Sequence, residues 1–304
     1  MATFVDEAVT ATVPATSANL GPGFDALGLA LSLRDELVAR VTDGGIEVDV
    51  SGAGAGRVPL DGSHLVVRSM LAAFDLMGAR PPGLRLSCTN RIPHGRGLGS
   101  SSAAIVAGVA LARGLVAGGT LLLDDDALFA LAAEIEGHPD NVAPALFGGL
   151  VISGREGDRF CAVPADVDPR VSAVVFVPPT PLETTVARGL LPSSVPHADA
   201  AADAGRAALL VAALAGRPEH LLLATRDYLH QDYREPAMPA SLALMRSLRA
   251  EGVPATVSGA GPTVLAFCDG PACSPGSAQV LIDRCPVGWE AHHLNVDHEG
   301  VRVT

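Results

Sequence analysis

The sequence predicts an α+β protein of two domains, and three observations carry that prediction. At 304 residues, 48% of them hydrophobic, the chain exceeds the length at which a single core usually stops growing. Its first fifty residues alternate with the period of two that marks strands, and helical patterns follow from Leu65. In the last third, helix, strand and hairpin signals come in that order, as in an α+β unit.

Val9 to Val13 and Glu36 to Arg40 alternate like strands, and Ile46 to Val50 is a period-two strand. Between the first two, Pro14 to Asp25 holds so many turn formers that irregular structure is predicted. Leu65 to Met77 reads as a helix and Leu84 to Thr89 as a strand leading to Pro93. From Ser101 the chain is apolar nearly all round a helix, which predicts burial, and Gly118-Gly119 should end it. Asp124-Asp125-Asp126 is read as the cap of a helix from Ala127 to Glu136 rather than as a metal cluster. Gly148-Gly149 turns into a strand at Leu150 to Ser153. The polar stretch from Gly154 to Pro169 is the predicted domain boundary, dividing residues 1–160 from 161–304. Beyond it come a strand at Val171 to Val177 and helices at Ala198 to Leu214, Pro218 to Tyr228 and Ala240 to Glu251. A strand pair follows, Ala255 to Ser258 and Thr263 to Cys268, joined by Gly259 to Pro262.

Composition excludes several function classes. A net charge of −12 argues against a nucleic-acid partner, which needs clustered cations. No secretory signal is visible, and the longest apolar run, Ala103 to Ala112, is too short to span a bilayer, so a cytoplasmic protein without a membrane partner is expected. Cys88, Cys161, Cys268, Cys273 and Cys285 lack metal-ligand spacing and are expected to be reduced thiols. All 21 basic side chains are arginine. The absence of lysine removes a Walker-type lysine, a Schiff base and a lysine general base together. Phosphate chemistry must then rest on backbone amides, arginine, helix dipoles and metal.

One segment fits that requirement. Pro93-His94-Gly95-Arg96-Gly97-Leu98-Gly99-Ser100-Ser101-Ser102 is a glycine-rich turn running into the buried helix that includes Ala103. Such a turn presents free N–H groups and a positive dipole end to phosphate oxygens. The serine hydroxyls are hard oxygen donors suited to Mg²⁺. The spacing matches neither a Walker A loop nor a dinucleotide fingerprint, and an ordinary helix cap would leave the same pattern.

Four segments together go further: Pro14 to Asp25, Pro93 to Ser101, Glu136-Gly-His-Pro-Asp-Asn-Val-Ala-Pro144, and Val257-Ser-Gly-Ala-Gly-Pro-Thr263. From about Val9 to Phe267 the chain resembles the homoserine kinases of the GHMP kinase superfamily. That resemblance implies an N-terminal domain like domain 2 of ribosomal protein S5 and a C-terminal ferredoxin-like domain. It implies ATP and Mg²⁺ as cofactors and L-homoserine as substrate, phosphorylated on its hydroxyl for threonine biosynthesis. By the family pattern Asn19 bonds the reacting hydroxyl, and Asn19 and Asp140 are the catalytic candidates. Asp25 and Asp140 hold the ammonium, and Arg188 and Arg234 hold the carboxylate, a task for which the guanidinium fork is suited. His138 either touches substrate or braces the turn at Pro139. The phosphates fall to Pro93 through Ala103. For the metal, Ser100 or Ser101 is expected with a helical glutamate, Glu134 being preferred to Glu136. Near the nucleotide base, His64 stands where relatives often carry Asn. A GHMP kinase for mevalonate, a sugar or shikimate is the nearest alternative, and an inactive binding protein of the same fold the next. A homodimer is compatible with the sequence but not specified by it.

Overall fold

In the computed structural model, residues 3–268 and 276–304 are described. Two antiparallel-dominated sheets organise the chain. The first has the order β11-β1-β2-β4-β3, with the hairpin β5–β6 attached to β2. Its strands are β1 (Val9–Asn19), β2 (Gly23–Thr42), β3 (Gly45–Gly52), β4 (Gly83–Asn90), β5 (Leu150–Glu156), β6 (Arg159–Ala165) and β11 (Arg302–Val303). The 20-residue β2 is the spine: β1 pairs along one edge, while β5 and β4 share the other, at Leu27–Leu29 and Glu36–Thr42. β3 runs parallel to β4 and reaches it through α1 (Leu65–Leu76).

Helix α2 (Ser100–Leu115) is buried almost throughout, as its apolar circumference requires, between α1 and β1. After the short α3 (Gly119–Leu122), Asp124 accepts the Ala127 N–H at 2.8 Å and caps α4 (Asp125–Glu136), and α5 (Val142–Phe147) packs on the same layer.

The second sheet has the order β10-β7-β9-β8, built from β7 (Ser172–Val177), β8 (Ala255–Val257), β9 (Val264–Cys268) and β10 (Glu290–Asn295). Between β7 and β8 lie α6 (Thr184–Gly189), α7 (His197–Gly216), α8 (Leu221–Ala224) and α9 (Pro239–Ala250); α10 (Ala278–Ile282) precedes β10. Helical crossover, hairpin, helix and return strand make the split βαβ arrangement of ferredoxin-like domains. The strands alternate strictly. Ala173, Val175, Leu265 and Phe267 join the main core, while Val174, Phe176, Val264 and Ala266 pack with Leu242 and Leu248 of α9 in a second one.

Three expectations need correction. Pro14 to Asp25 is not irregular: it forms the end of β1, a tight reversal and the start of β2. Ala15, Ala18 and Leu20 are buried there, and sheet pairing overrides their turn-rich surroundings. The helix predicted over Pro218 to Tyr228 breaks into a 3₁₀ turn at Pro218–His220 and the single turn α8. Asp227 stops it by accepting the N–H groups of Leu229, His230 and Gln231, a local alternative to helix. The division at residues 160/161 falls inside β6, whose pairing with β5 keeps the chain in the first sheet to Ala165; β11 brings the C-terminal strand back to the same sheet. Of the five cysteines, Cys273 lies outside the described residues; burial pushes the Cys88 thiol up to about 12.

Candidate active site

The glycine turn is held between the two domains. Gly95, Gly97 and Gly99 all have left-handed φ, of +65°, +75° and +69°. A Cβ on Gly97 would sit 2.3 Å from the Ser258 carbonyl, and one on Gly99 would sit 1.9 Å from Thr16 Oγ1. Ser258 Oγ lies 2.5 Å from the Gly97 carbonyl, Leu98 accepts the Thr16 N–H, and Arg96 accepts the Thr263 N–H. The Arg96 side chain reaches the carbonyls of His94, Pro178 and Pro179, tying the loop to the second domain. Leu98 and Ala103 face the core, and neither they nor Pro93 line the cleft.

At the start of α2 the first intrahelical bond runs from Ala103 N–H to Gly99 C=O, leaving the amides of Ser100 to Ser102 ahead of it. No side chain caps this end. The hydroxyls do something else: Ser101 Oγ donates to Glu136 Oε2 at 2.8 Å and Ser102 Oγ to Oε1 at 2.7 Å. The capping explanation of the serine run therefore falls. Glu134, preferred for the metal, is exposed on α4 and lines no part of the cleft; Glu136 does. The helix phase explains the correction. Glu136 follows the buried Ala132 and Ala133 by four and three residues, so it shares their inward face, whereas Glu134 turns away.

Below the loop lies a cleft of about 130 Å³ bordered by Asn19, Glu136, His138, Asp140, Arg188 and Arg234. Strand pairing delivers Asn19 from the end of β1; Asp25 stands at the start of β2, His138 and Asp140 follow α4, and Arg188 ends α6. Asn19 and Asp25 have φ of +66° and +53°, and with Leu20 they are the non-glycine residues in this region among those described. Such conformations persist where the surroundings over-determine them, commonly at functional sites. Asn19 Nδ2 donates to the Gly259 carbonyl at 2.8 Å, and its Oδ1 accepts the Asp25 N–H at 3.0 Å.

Charges in the cleft are paired unevenly. Arg188 donates two bonds to Asp25, at 3.0 and 2.6 Å, and this pairing raises the Arg188 pKa. Arg234 is 1% exposed and donates to His230 Nδ1 and the Gly259 carbonyl; its Nε has no partner, and burial with the nearby Arg188 lowers its pKa to about 10. Asp140 is buried, with Oδ1 2.8 Å from His138 Nδ1. Burial disfavours the charged imidazole, but the Asp140 hydrogen bond and charge outweigh it and raise the His138 pKa. Phe24, which sequence reasoning passed over, lies 5.6 Å from both guanidiniums and stacks on His230 at 5.1 Å.

A second cavity, of about 280 Å³ and mostly apolar, shares Ser100 and Ser101 with the cleft and contains His64, Asn90 and His94. His64 is buried with Nδ1 unpartnered, and burial first, then His94, lowers its pKa.

Residues 64–149 match the GHMP kinases N terminal domain and residues 207–273 the GHMP kinases C terminal domain, so fold and loop define a GHMP kinase using ATP. Homoserine kinases of Streptomyces avermitilis and Streptomyces coelicolor are each 56% identical over 97% of the chain, covering 95% and 94% of those proteins. The crystal structure of homoserine kinase from Cytophaga hutchinsonii superposes with TM-score 0.84 at 28% identity, over 99% of this chain and 98% of that one. Mevalonate kinase of L. major, at 16% identity and TM-score 0.69 over 97% of this chain and 98% of that one, shares the fold alone. The chain belongs to the homoserine kinase family.

Proposed function

We infer that the chain transfers the γ-phosphoryl group of ATP to the hydroxyl of L-homoserine, giving O-phospho-L-homoserine for threonine biosynthesis. The observation that carries the substrate is Arg234, a buried guanidinium with an unpartnered Nε and, among the described residues, no salt bridge, which feels Asp227, Asp25 and Asp140 only at a distance; it lines the cleft with Arg188 and Asp140, and Asp25 lines the adjoining opening with Arg188. A buried cation calls for an anion. An amino acid supplies a carboxylate for the arginines and an ammonium for the aspartates. Mevalonate, shikimate or a sugar has no ammonium to offer Asp25 and Asp140.

In this reading the amides and hydroxyls at the start of α2 hold the phosphates, and the apolar cavity beside His64 takes the nucleotide base. The donor set of Ser101 and Glu136, with Ser100 beside it, is all hard oxygen and fits Mg²⁺, which would neutralise phosphate charge. Asn19, with one N–H and one lone pair left, orients the substrate hydroxyl toward the loop. His138 keeps Asp140 in place and closes the cleft behind the substrate. Phosphoryl transfer through a loose transition state asks mainly for positioning and electrostatic stabilisation, which a lysine-free site of amides, arginines and hydroxyls supplies. A cytoplasmic location goes with this reading; among the described residues no helix is long and apolar enough to cross a membrane.

ADP release from MgATP with homoserine, serine, mevalonate, shikimate and galactose tests the substrate. Turnover is expected with homoserine. Turnover with another alcohol but not homoserine would reassign it, and none with any would favour a binding protein.

A further inference from the structure

Asp25 and Arg188, the residues expected on opposite ends of the substrate, hold each other. Their two parallel bonds lie at the mouth of the cleft, with side chains 38% and 37% exposed. The left-handed backbone of Asp25 and its N–H bond to Asn19 fix the main chain from which the carboxylate projects, while the Phe24 ring lies 5.6 Å from the Arg188 guanidinium. The same ring carries Arg234 at equal distance, so two guanidiniums flank one aromatic spacer and only Arg188 has a carboxylate partner.

We propose that the Asp25–Arg188 pair is a latch that a zwitterion opens, and that this exchange selects an amino-acid alcohol over alcohols bearing a single charge. A lone carboxylate that takes Arg188 strips Asp25 of its counter-ion. A lone ammonium that takes Asp25 releases Arg188 beside the buried, unpaired Arg234. Either half-reaction gives up a bidentate pair and leaves one partly exposed charge without its partner, a modest cost that a ligand carrying both charges does not meet. A zwitterion replaces both partners in one event: its ammonium takes the place of the guanidinium on Asp25, and its carboxylate takes the place of Asp25 on Arg188. Selectivity then comes from what the wrong ligand leaves unpaired. The proposal rests on the substrate reading above and adds to it the route by which the pocket rejects half-charged analogues.

The test uses homoserine, 4-hydroxybutanoate, which lacks the ammonium, and 3-aminopropan-1-ol, which lacks the carboxylate, with binding by calorimetry and turnover by ADP release. Asp25→Asn frees Arg188, so it should weaken homoserine yet strengthen 4-hydroxybutanoate by about five-fold or more, the scale of one solvent-touched bidentate pair. Arg188→Gln should do the same for 3-aminopropan-1-ol. In the wild-type enzyme methylammonium should lower the KM for 4-hydroxybutanoate, a measurement that needs no variant to fold. Unchanged or weakened half-ligand binding in both variants, or no effect of methylammonium, overturns the latch. If the wild type neither binds nor phosphorylates homoserine, the substrate reading has failed and the latch with it. If it does but the half-ligands do not respond, the latch alone has failed.

Discussion

Glu136 and Glu134 sit two positions apart on α4, yet only Glu136 meets the serine hydroxyls. Glu136→Gln should therefore lower kcat about 100-fold and raise the Mg²⁺ concentration needed for half-maximal rate, whereas Glu134→Gln should change neither. Equal effects would remove the assignment. Asn19→Ala is expected to lower kcat more than it raises KM, because Asn19 joins Gly259 to the Asp25 amide and faces the reacting hydroxyl in the proposed complex. Outside the site, Asp203 is buried under the Tyr228 N–H, and burial chiefly pushes its pKa up to about 6. An unfolded aspartate titrates near 3.9. Folding thus takes up a proton between about pH 4 and 6, and this residue's contribution to stability falls as the pH rises through that window. Asp203→Asn keeps the acceptor for Tyr228 and should raise stability at pH 7.5 by about 2 kcal/mol, with little difference from wild type at pH 4 in urea unfolding.

Among the elements, α2 and the turn before it are the ones the proposed reaction asks to hold the phosphates, by backbone shape. Gly99→Ala would need a left-handed alanine and would drive its Cβ into Thr16, which itself donates to Asn141 Oδ1 at 2.8 Å. The expected result is a fall in kcat/KM of about 100-fold with far-UV circular dichroism retained, since the loop shifts while the helix survives. The neighbouring α4 tests the opposite case, a cap with no part in the site. Asp124→Ala removes the one side-chain bond to its first turn and should cost about 1 kcal/mol of stability while leaving kcat unchanged. The period of three to four residues along α4 places Glu136 on its inward face, a signal the spacing held and the preference for Glu134 overlooked. The strand character of Pro14 to Ala18 could not be read from spacing, because turn-forming residues become strand only when β2 and the loop at Leu98 pair with them.

For the whole molecule, the C-terminal return to the first sheet is a structural clasp. Arg34 on β2 pairs with Asp297 and donates to the carbonyls of Thr12 and Gly300, joining two strands of the first sheet to the chain before β11. Arg34→Met would leave the buried Asp297 without its cation and should lower unfolding stability by about 3 kcal/mol in urea titration; no loss would show the clasp to be idle.

What could be read from the chain was whatever sits in contiguous residues: the alternation of strands, the buried α2, the glycine–serine turn, and the four segments that name the family. What could not was the pairing of distant groups. Asp25 and Arg188 are 163 residues apart, and Asn19 and the Gly259 carbonyl 240. Periodicity tells which face a side chain takes along its own element but not which element arrives opposite. Here the register of the long β2 and the docking of the second domain over the loop bring an anion and a cation together that the family resemblance assigns to opposite ends of a substrate. The two-domain α+β fold follows from local pattern. The closed ion pair follows only from long-range packing, because its energy depends on burial and geometry that no stretch of chain possesses before it folds.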